Sequence, residues 1–117
     1  MAVQELEQLV RDALEAVKAQ DTVFIDVRGR TPVTDLMVVT TGTSRRHVHA
    51  VARNVLDSAK AGGVTGIGVE GEEPSSEWVL IDLGDVVVHV MTAESRDFYR
   101  LERMWEMEQP CASTSSQ

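Results

Sequence analysis

The sequence has one cysteine, no long apolar run and too few basic residues to balance its acidic ones. Cys111 is the single cysteine, so an intramolecular disulfide is excluded and a reducing compartment is indicated. No apolar stretch approaches the roughly 20 residues of a membrane-spanning helix. The N-terminal segment MAVQELEQLV carries carboxylates where a signal peptide would carry lysines. We therefore expect a soluble, cytoplasmic protein that is not exported.

The shortage of lysine and arginine also limits the partners. The 117 residues carry a formal net charge of −8, and Arg45, Arg46 and Arg53 form the one basic cluster. Binding to nucleic acid depends on basic residues that neutralise phosphates, so little direct nucleic-acid binding is expected. An acidic surface instead suits a basic protein partner.

The spacing of apolar residues predicts alternating helices and strands. Helices are predicted over residues 3 to about 20, from the N-cap Ser44 to Gly62-Gly63, and from near Thr92 onward. Strands are predicted over residues 22–27, 36–41 and 65–70, followed by a hairpin over residues 78–91. The nearly all-apolar second strand indicates helices on both faces of the sheet.

This order of elements predicts a single α/β domain with a mixed β-sheet flanked by helices. The strand–helix–strand crossover should be parallel and the hairpin antiparallel. We expect the domain to span residues 1–108. The polar segment QPCASTSSQ, residues 109–117, has too little apolar surface to fold and is predicted to be disordered.

The predicted hairpin has two different faces. A two-residue type II′ turn at Gly84-Asp85 sets Asp82 opposite Val87, Leu80 opposite His89 and Trp78 opposite Met91. The aliphatic face comprises Val79, Ile81, Leu83, Val86, Val88 and Val90, and should be core. The mixed face comprises Trp78, Leu80, Asp82, Val87, His89 and Met91. A mixed face is typical of the centre of a protein interface; the alternative is that the last helix covers it, with Phe98, Leu101, Met104 and Trp105 on one side.

The segment TGTSRRHVHA, residues 41–50, connects the second strand to the second helix and could aim backbone N–H groups at an anion. Nucleotidyl or phosphoryl transfer also needs a pair of carboxylates two residues apart to hold a divalent metal, and no such pair follows. His47 and His49 lie about 200° apart around a helix, so they cannot share a metal. We therefore expect no catalytic residue, metal or cofactor. His47 should bond to the preceding turn, and His89 should be half-buried and satisfied by Asp82 or a neighbour.

Short motifs also occur in a characteristic order. They are Asp26-Val, Thr34-Asp35, Thr41-Gly-Thr-Ser44 with His47, Gly68-Val-Glu-Gly71, Trp78, Asp82-Leu-Gly-Asp85-Val and Val88-His-Val-Met91. This set, from about Leu6 to Trp105, resembles the ribosomal silencing factor (RsfS, or Iojap) family. The resemblance implies an α/β fold related to nucleotidyltransferases and binding to the large ribosomal subunit through ribosomal protein number fourteen. It also implies a block to the joining of the two subunits that represses translation, chiefly when nutrients are scarce.

Three hypotheses follow for the function of the chain. They are a binding module that docks on a basic ribosomal protein and acts by steric exclusion, a metal-dependent nucleotidyl- or phosphoryl-transfer enzyme, and a direct RNA binder. The acidic charge and the missing carboxylate pair favour the binding module. Its predicted docking residues are Trp78, Asp82, Leu83, Asp85, His89, Arg96 and Tyr99. The sequence leaves open whether the free protein forms a homodimer and whether the turn at residues 42–47 holds a small ligand.

Overall fold

Helices and strands alternate along the chain as the apolar spacing predicts. The computed structural model describes residues 3–28 and 35–99, with side chains up to Arg96. The elements in these ranges are α1 (Val3–Ala16), β1 (Gln20–Asp26), β2 (Leu36–Gly42), α2 (Arg45–Ala61), β3 (Gly68–Glu70), β4 (Trp78–Asp82), β5 (Val86–Thr92) and α3 (Ala93–Tyr99). None of these helices is both long and apolar enough to cross a membrane.

The strands form one sheet in the order β1-β2-β5-β4-β3. β2 and β5 are parallel, whereas the β1–β2, β4–β5 and β3–β4 pairs are antiparallel. The predicted mixed sheet is therefore confirmed. β5 is the central strand. It lies between β2, which precedes it by more than forty residues, and β4, which is its hairpin partner.

Helices α1 and α2 pack together on one face of the sheet, which we call the helix face. The aliphatic residues of the β4–β5 hairpin lie on this face and are at most 5% exposed, as predicted. They join Val38 of β2 and the apolar stripes of both helices in one core. The Asn54 side-chain amide donates to the Ala13 carbonyl at 2.7 Å and connects the two helices.

The opposite face of the sheet, which we call the second face, is also covered along β2 and β5. Val39 and Met91 have no exposed surface, although they alternate with the residues of the helix-face core. Arg96 of α3 reaches this face, where it donates to the Thr41 hydroxyl at 2.9 Å and to the Asp21 carbonyl. The described part of α3 thus reaches the second face through Arg96, and the prediction that a helix covers this face depends on side chains outside the described residues.

The residues at the two ends of α2 explain where this helix begins and ends. α2 begins after Ser44 and ends before Gly62, as predicted, and Gly63 has a φ of 90°. The Val64 N–H bonds to the Ala59 carbonyl and the Gly63 N–H to the Lys60 carbonyl, which together form a Schellman motif.

The prediction that α1 extends to about residue 20 is wrong, because the helix ends at Ala16. Lys18 adopts a φ of 57°, and the Ala19 N–H bonds to the Leu14 carbonyl at 3.0 Å, so a second Schellman motif reverses the chain into β1. β3 is likewise shorter than predicted, because Gly66 has a φ of 70° and precedes a strand of three residues.

Several predictions concern parts of the chain outside the described residues. α3 starts at Ala93, next to the predicted start. The side chains of Phe98 and Tyr99 are not described, and Leu101, Met104, Trp105, the domain boundary at residue 108 and the tail at 109–117 lie beyond the described ranges.

Candidate docking surface

The register of the β4–β5 hairpin determines which side chains share the second face. Trp78 pairs with Met91, Leu80 with His89 and Asp82 with Val87, as predicted. Gly84 has a φ of 93° whereas Asp85 is not left-handed, which is the pattern of a type II′ turn. Across the turn, the Leu83 N–H donates to the Val86 carbonyl at 2.8 Å.

The mixed face of the hairpin divides along its two strands. On β5, Val87, His89 and Met91 are 9, 6 and 0% exposed. On β4, Trp78, Leu80 and Asp82 are half-buried. Glu70 of β3 pairs directly with Leu80, so it lies on the same face, and it is exposed. We call these four residues, Glu70, Trp78, Leu80 and Asp82, the β4 surface.

Trp78 is held by a hydrogen bond to His89. The indole Nε1–H donates to His89 Nδ1 at 3.0 Å, and the ring centroids lie 5.7 Å apart at a tilt of 49°. Because an indole is only a donor, Nδ1 is the acceptor and the imidazole proton lies on Nε2. Burial lowers the pKa of His89 to about 4, which is consistent with a neutral ring.

The partner of His89 is therefore Trp78, one of the neighbours that the sequence allowed. Asp82 does not bond to His89 here. Its Oδ1 accepts from the Gly84 N–H at 2.8 Å and stabilises the turn. His89 is also more deeply buried than the predicted half-burial, because β5 is the central strand.

Two of the seven predicted docking residues have buried side chains. Leu83 is 5% exposed and packs in the helix-face core, and His89 is 6% exposed beneath the second face. The alternation of side chains along a strand explains Leu83, which lies on the opposite side from Asp82. Neither side chain is part of the accessible surface beside Trp78. Asp85 is exposed, and its carbonyl accepts from the N–H groups of Asp35 and Leu36, both at 3.0 Å.

Arg96 and Tyr99 belong to α3, from which the Arg96 side chain extends to β2. The Arg96 side chain contacts Thr41 of β2, and Thr41, Met91 and Trp78 form one row across three strands. Thr41 and Trp78 are separated by β5, about 10 Å across two strand spacings. The guanidinium group of Arg96 that bonds to Thr41 is therefore not placed beside Trp78 by this contact. Tyr99 is within α3, and its side chain lies outside the described part.

Glu77 determines where α3 begins, a role that the sequence analysis missed. Its carboxylate accepts from the Thr92 hydroxyl at 3.0 Å and from the Ser95 hydroxyl at 3.4 Å, and its carbonyl accepts from the Thr92 N–H at 3.0 Å. The Thr92 hydroxyl in turn accepts from the Ser95 N–H as an N-cap. The signal in the sequence was Thr92-x-x-Ser95 directly after a strand, but nothing local links it to Glu77.

The polar groups of the turn between β2 and α2 form hydrogen bonds within the fold. Ser44 Oγ accepts from the His47 N–H at 3.1 Å, which confirms the predicted N-cap. His47 Nδ1 accepts from the Thr43 N–H at 2.8 Å, which confirms the predicted bond to the preceding turn. Its Nε2–H then donates to the Val17 carbonyl at 2.7 Å and connects this turn to the end of α1.

No metal-binding constellation forms within residues 3–28 and 35–99, where no three histidine, cysteine, aspartate or glutamate side chains converge. His49 Nε2 is hydrogen-bonded to the Ser76 carbonyl at 3.0 Å, on the opposite side of α2 from His47. Asp82 is the last residue of β4, whereas Asp85 lies in the turn that follows it.

Comparisons with known proteins agree with this architecture. Residues 1–117 match the family described as "Ribosomal silencing factor during starvation". The chain is 44% identical over 110 residues to ribosomal silencing factor RsfS of Chromobacterium violaceum, covering 94% of this chain and 89% of that one. It is 38% identical over 100 residues to RsfS of Haemophilus influenzae, covering 86% of this chain and 97% of that one.

The fold has a solved counterpart. A crystal structure of a Chromobacterium violaceum protein superimposes with a TM-score of 0.86 at 44% identity, covering 94% of this chain and 91% of that one. The full-length family match, the identities and the shared fold show that this chain belongs to the RsfS family of ribosomal silencing factors, as its motifs predicted.

Proposed function

We propose that this chain docks through its β4 surface on large-subunit ribosomal protein number fourteen and thereby blocks the joining of the small and large subunits when nutrients are limiting. Membership of the RsfS family establishes the coarser function: the chain is a non-enzymatic factor that represses translation by binding the large ribosomal subunit. The proposal adds the docking surface, the ribosomal protein and the step that is blocked. We also infer a cytoplasmic location, where bacterial ribosomes assemble.

The observation that carries the proposal is a half-buried tryptophan among carboxylates on the second face of the sheet. Trp78 lies on the same face as Leu80, Asp82 and Glu70. Tryptophan is strongly enriched among the residues that dominate binding energy at interfaces. The carboxylates beside it are complementary to a basic ribosomal protein and would suppress contact with RNA phosphates. Leu80 joins the predicted docking residues, whereas the buried Leu83 and His89 do not contact the partner in this proposal.

The kinship with nucleotidyltransferases remains a proposal about ancestry that rests on the motif resemblance. In support of a binding role, the Ser44 hydroxyl and both His47 ring nitrogens are already engaged in hydrogen bonds within the fold. A transfer enzyme would need such groups for its substrate.

Substitution of Trp78 tests the docking surface. Loss of a tryptophan from an interface centre commonly costs 2 kcal/mol or more, so we expect Trp78→Ala to bind large subunits at least roughly thirtyfold more weakly. Trp78→Glu should abolish detectable binding and restore subunit joining. Co-sedimentation with isolated large subunits and the melting temperature are measured on the same preparation.

Ala50→Glu is the matched control, because it adds the same charge at an exposed position of α2 on the other side of the molecule. It should bind as the unmodified chain does. A folded Trp78→Glu variant that still binds would place the docking surface elsewhere. Loss of binding together with a destabilisation of about 3–5 kcal/mol, typical of a buried aromatic, would show that Trp78 acts through the fold.

A further inference from the structure

We propose that His89 is a positioning residue for docking, which holds the Trp78 indole in the orientation that the partner binds. The inference rests on the proposed docking function of Trp78. The His89 side chain is too deeply buried to contact a partner itself, so any effect on docking must act through Trp78.

The geometry of the pair defines one indole orientation. His89 lies diagonally across the β4–β5 ladder from Trp78, because it pairs with Leu80 two residues along the strand. The indole must therefore lean along the ladder for its Nε1–H to reach His89 Nδ1 at 3.0 Å. An indole rotated to another χ1 or χ2 well would lose this bond, since Nε1 is its one polar atom.

The surroundings of His89 do not themselves require a histidine. Its neighbour across β2 is Val39, which is fully buried, and the flanking residues on its own face of β5 are Val87 and Met91. An aliphatic side chain would pack in this environment without the desolvation that a polar ring incurs. What the imidazole provides, and an aliphatic side chain would not, is an acceptor directed at the indole.

Ordering the Trp78 indole before docking increases the affinity for the large subunit. A tryptophan that samples several rotamers before docking loses that freedom on binding, which weakens the complex by roughly two- to tenfold. The hydrogen bond removes part of this cost, because the side chain is ordered before the partner arrives. His89 should thus affect binding to the large subunit more than it affects folding.

A pair of substitutions separates positioning from stability. His89→Leu removes the acceptor but fills the buried site with apolar atoms, so we expect unchanged or increased resistance to urea and about three- to tenfold weaker binding to large subunits. His89→Asn keeps an acceptor oxygen near the position of Nδ1 but leaves a cavity. It should unfold at lower urea concentration and bind within about twofold of the unmodified chain. The order of binding is then the reverse of the order of stability.

The indole itself supplies a second readout. The Nε1–H resonance of Trp78 is identified as the one that Trp78→Phe lacks. In His89→Leu this resonance should shift and exchange faster with solvent, whereas in His89→Asn it should stay protected. In the Trp78→Phe background, which has no indole donor, His89→Leu should have no further effect on binding.

The outcomes are distinct. If Trp78→Ala abolishes binding but His89→Leu binds as the unmodified chain does, the docking surface stands and the positioning role is wrong. Binding that simply follows stability across the two His89 variants also contradicts it. If Trp78→Ala leaves binding unchanged, both the docking surface and the positioning role fail.

Discussion

Each of the three histidines of this chain connects segments that are distant in the sequence. His47 bonds to Val17, His49 to Ser76 and His89 to Trp78, across 30, 27 and 11 residues. Their ring nitrogens act as donors or acceptors that hold neighbouring elements in place. The histidines, which the sequence suggests as possible metal ligands, therefore stabilise the fold through hydrogen bonds between distant segments.

Acid should destabilise the fold through His89. The pKa of about 4 in the folded chain lies below the ordinary value of 6.5, so the unfolded chain binds more protons between these limits. Stability is then fully present above about pH 6.5 and falls as the pH approaches 4. We expect the free energy of unfolding of the unmodified chain to drop by about 2–3 kcal/mol more than that of His89→Leu between pH 7 and pH 4.5, measured by urea unfolding. If the free energy of unfolding of the two proteins falls equally with pH, the pKa of His89 is not lowered by folding.

Removal of the α2 N-cap should affect stability but not function. Ser44→Ala loses the acceptor for the His47 N–H and should lower the free energy of unfolding by about 1 kcal/mol. Large-subunit binding should be intact once folding is allowed for. Ser44→Asp, which keeps an acceptor oxygen, serves as the control and should unfold close to the unmodified chain. Unchanged stability with lost binding would instead indicate a ligand role for the turn.

At the element scale, the junction of β2 and α2 depends on close packing of backbone. A Cβ atom on Gly42 would lie 2.7 Å from the Val48 nitrogen and 2.9 Å from its Cα. Gly42 does not have a positive φ, so the requirement for glycine is steric. The glycine in this turn therefore lets the strand end approach the first turn of the helix.

Gly42→Ala should consequently force β2 and α2 apart. We expect a loss of about 1–3 kcal/mol in the free energy of unfolding, the usual range for overpacking. Thr43→Ala is the matched control, since it alters an exposed neighbour and removes only a 3.3 Å contact to His47. Equal stability of the two variants would mean that the junction relaxes without cost.

At the scale of the whole molecule, the acidic charge is unevenly placed. Glu70 belongs to the β4 surface, and Glu72, Glu73 and Asp85 are exposed in the connections on either side of β4. The Glu77 carboxylate is instead hydrogen-bonded to Thr92 and Ser95 at the start of α3. A concentration of charge of one sign accelerates encounter with an oppositely charged partner and is weakened by salt.

The association rate with large subunits should therefore fall as salt increases. Glu72→Gln combined with Glu73→Gln should slow association and flatten its salt dependence, with little change in the dissociation rate. Glu15→Gln combined with Asp57→Asn removes the same charge from exposed positions on α1 and α2 and is the control. A rate that is insensitive to ionic strength would contradict electrostatic steering.

The features that depend on neighbouring residues could be predicted from the sequence alone. Alternation and a Gly84-Asp85 turn predict the hairpin register, and Ser44 with Gly62-Gly63 predicts both ends of α2, because turn and cap chemistry acts within a few residues. The family followed from motifs of the same short range. Which residues are accessible depends instead on how the strands and helices pack together. β5 lies between β2 and β4, so His89 is buried, Glu77 meets Thr92, and Arg96 reaches Asp21 from 75 residues away. Such contacts form when the chain closes on itself, and no local pattern encodes their partners.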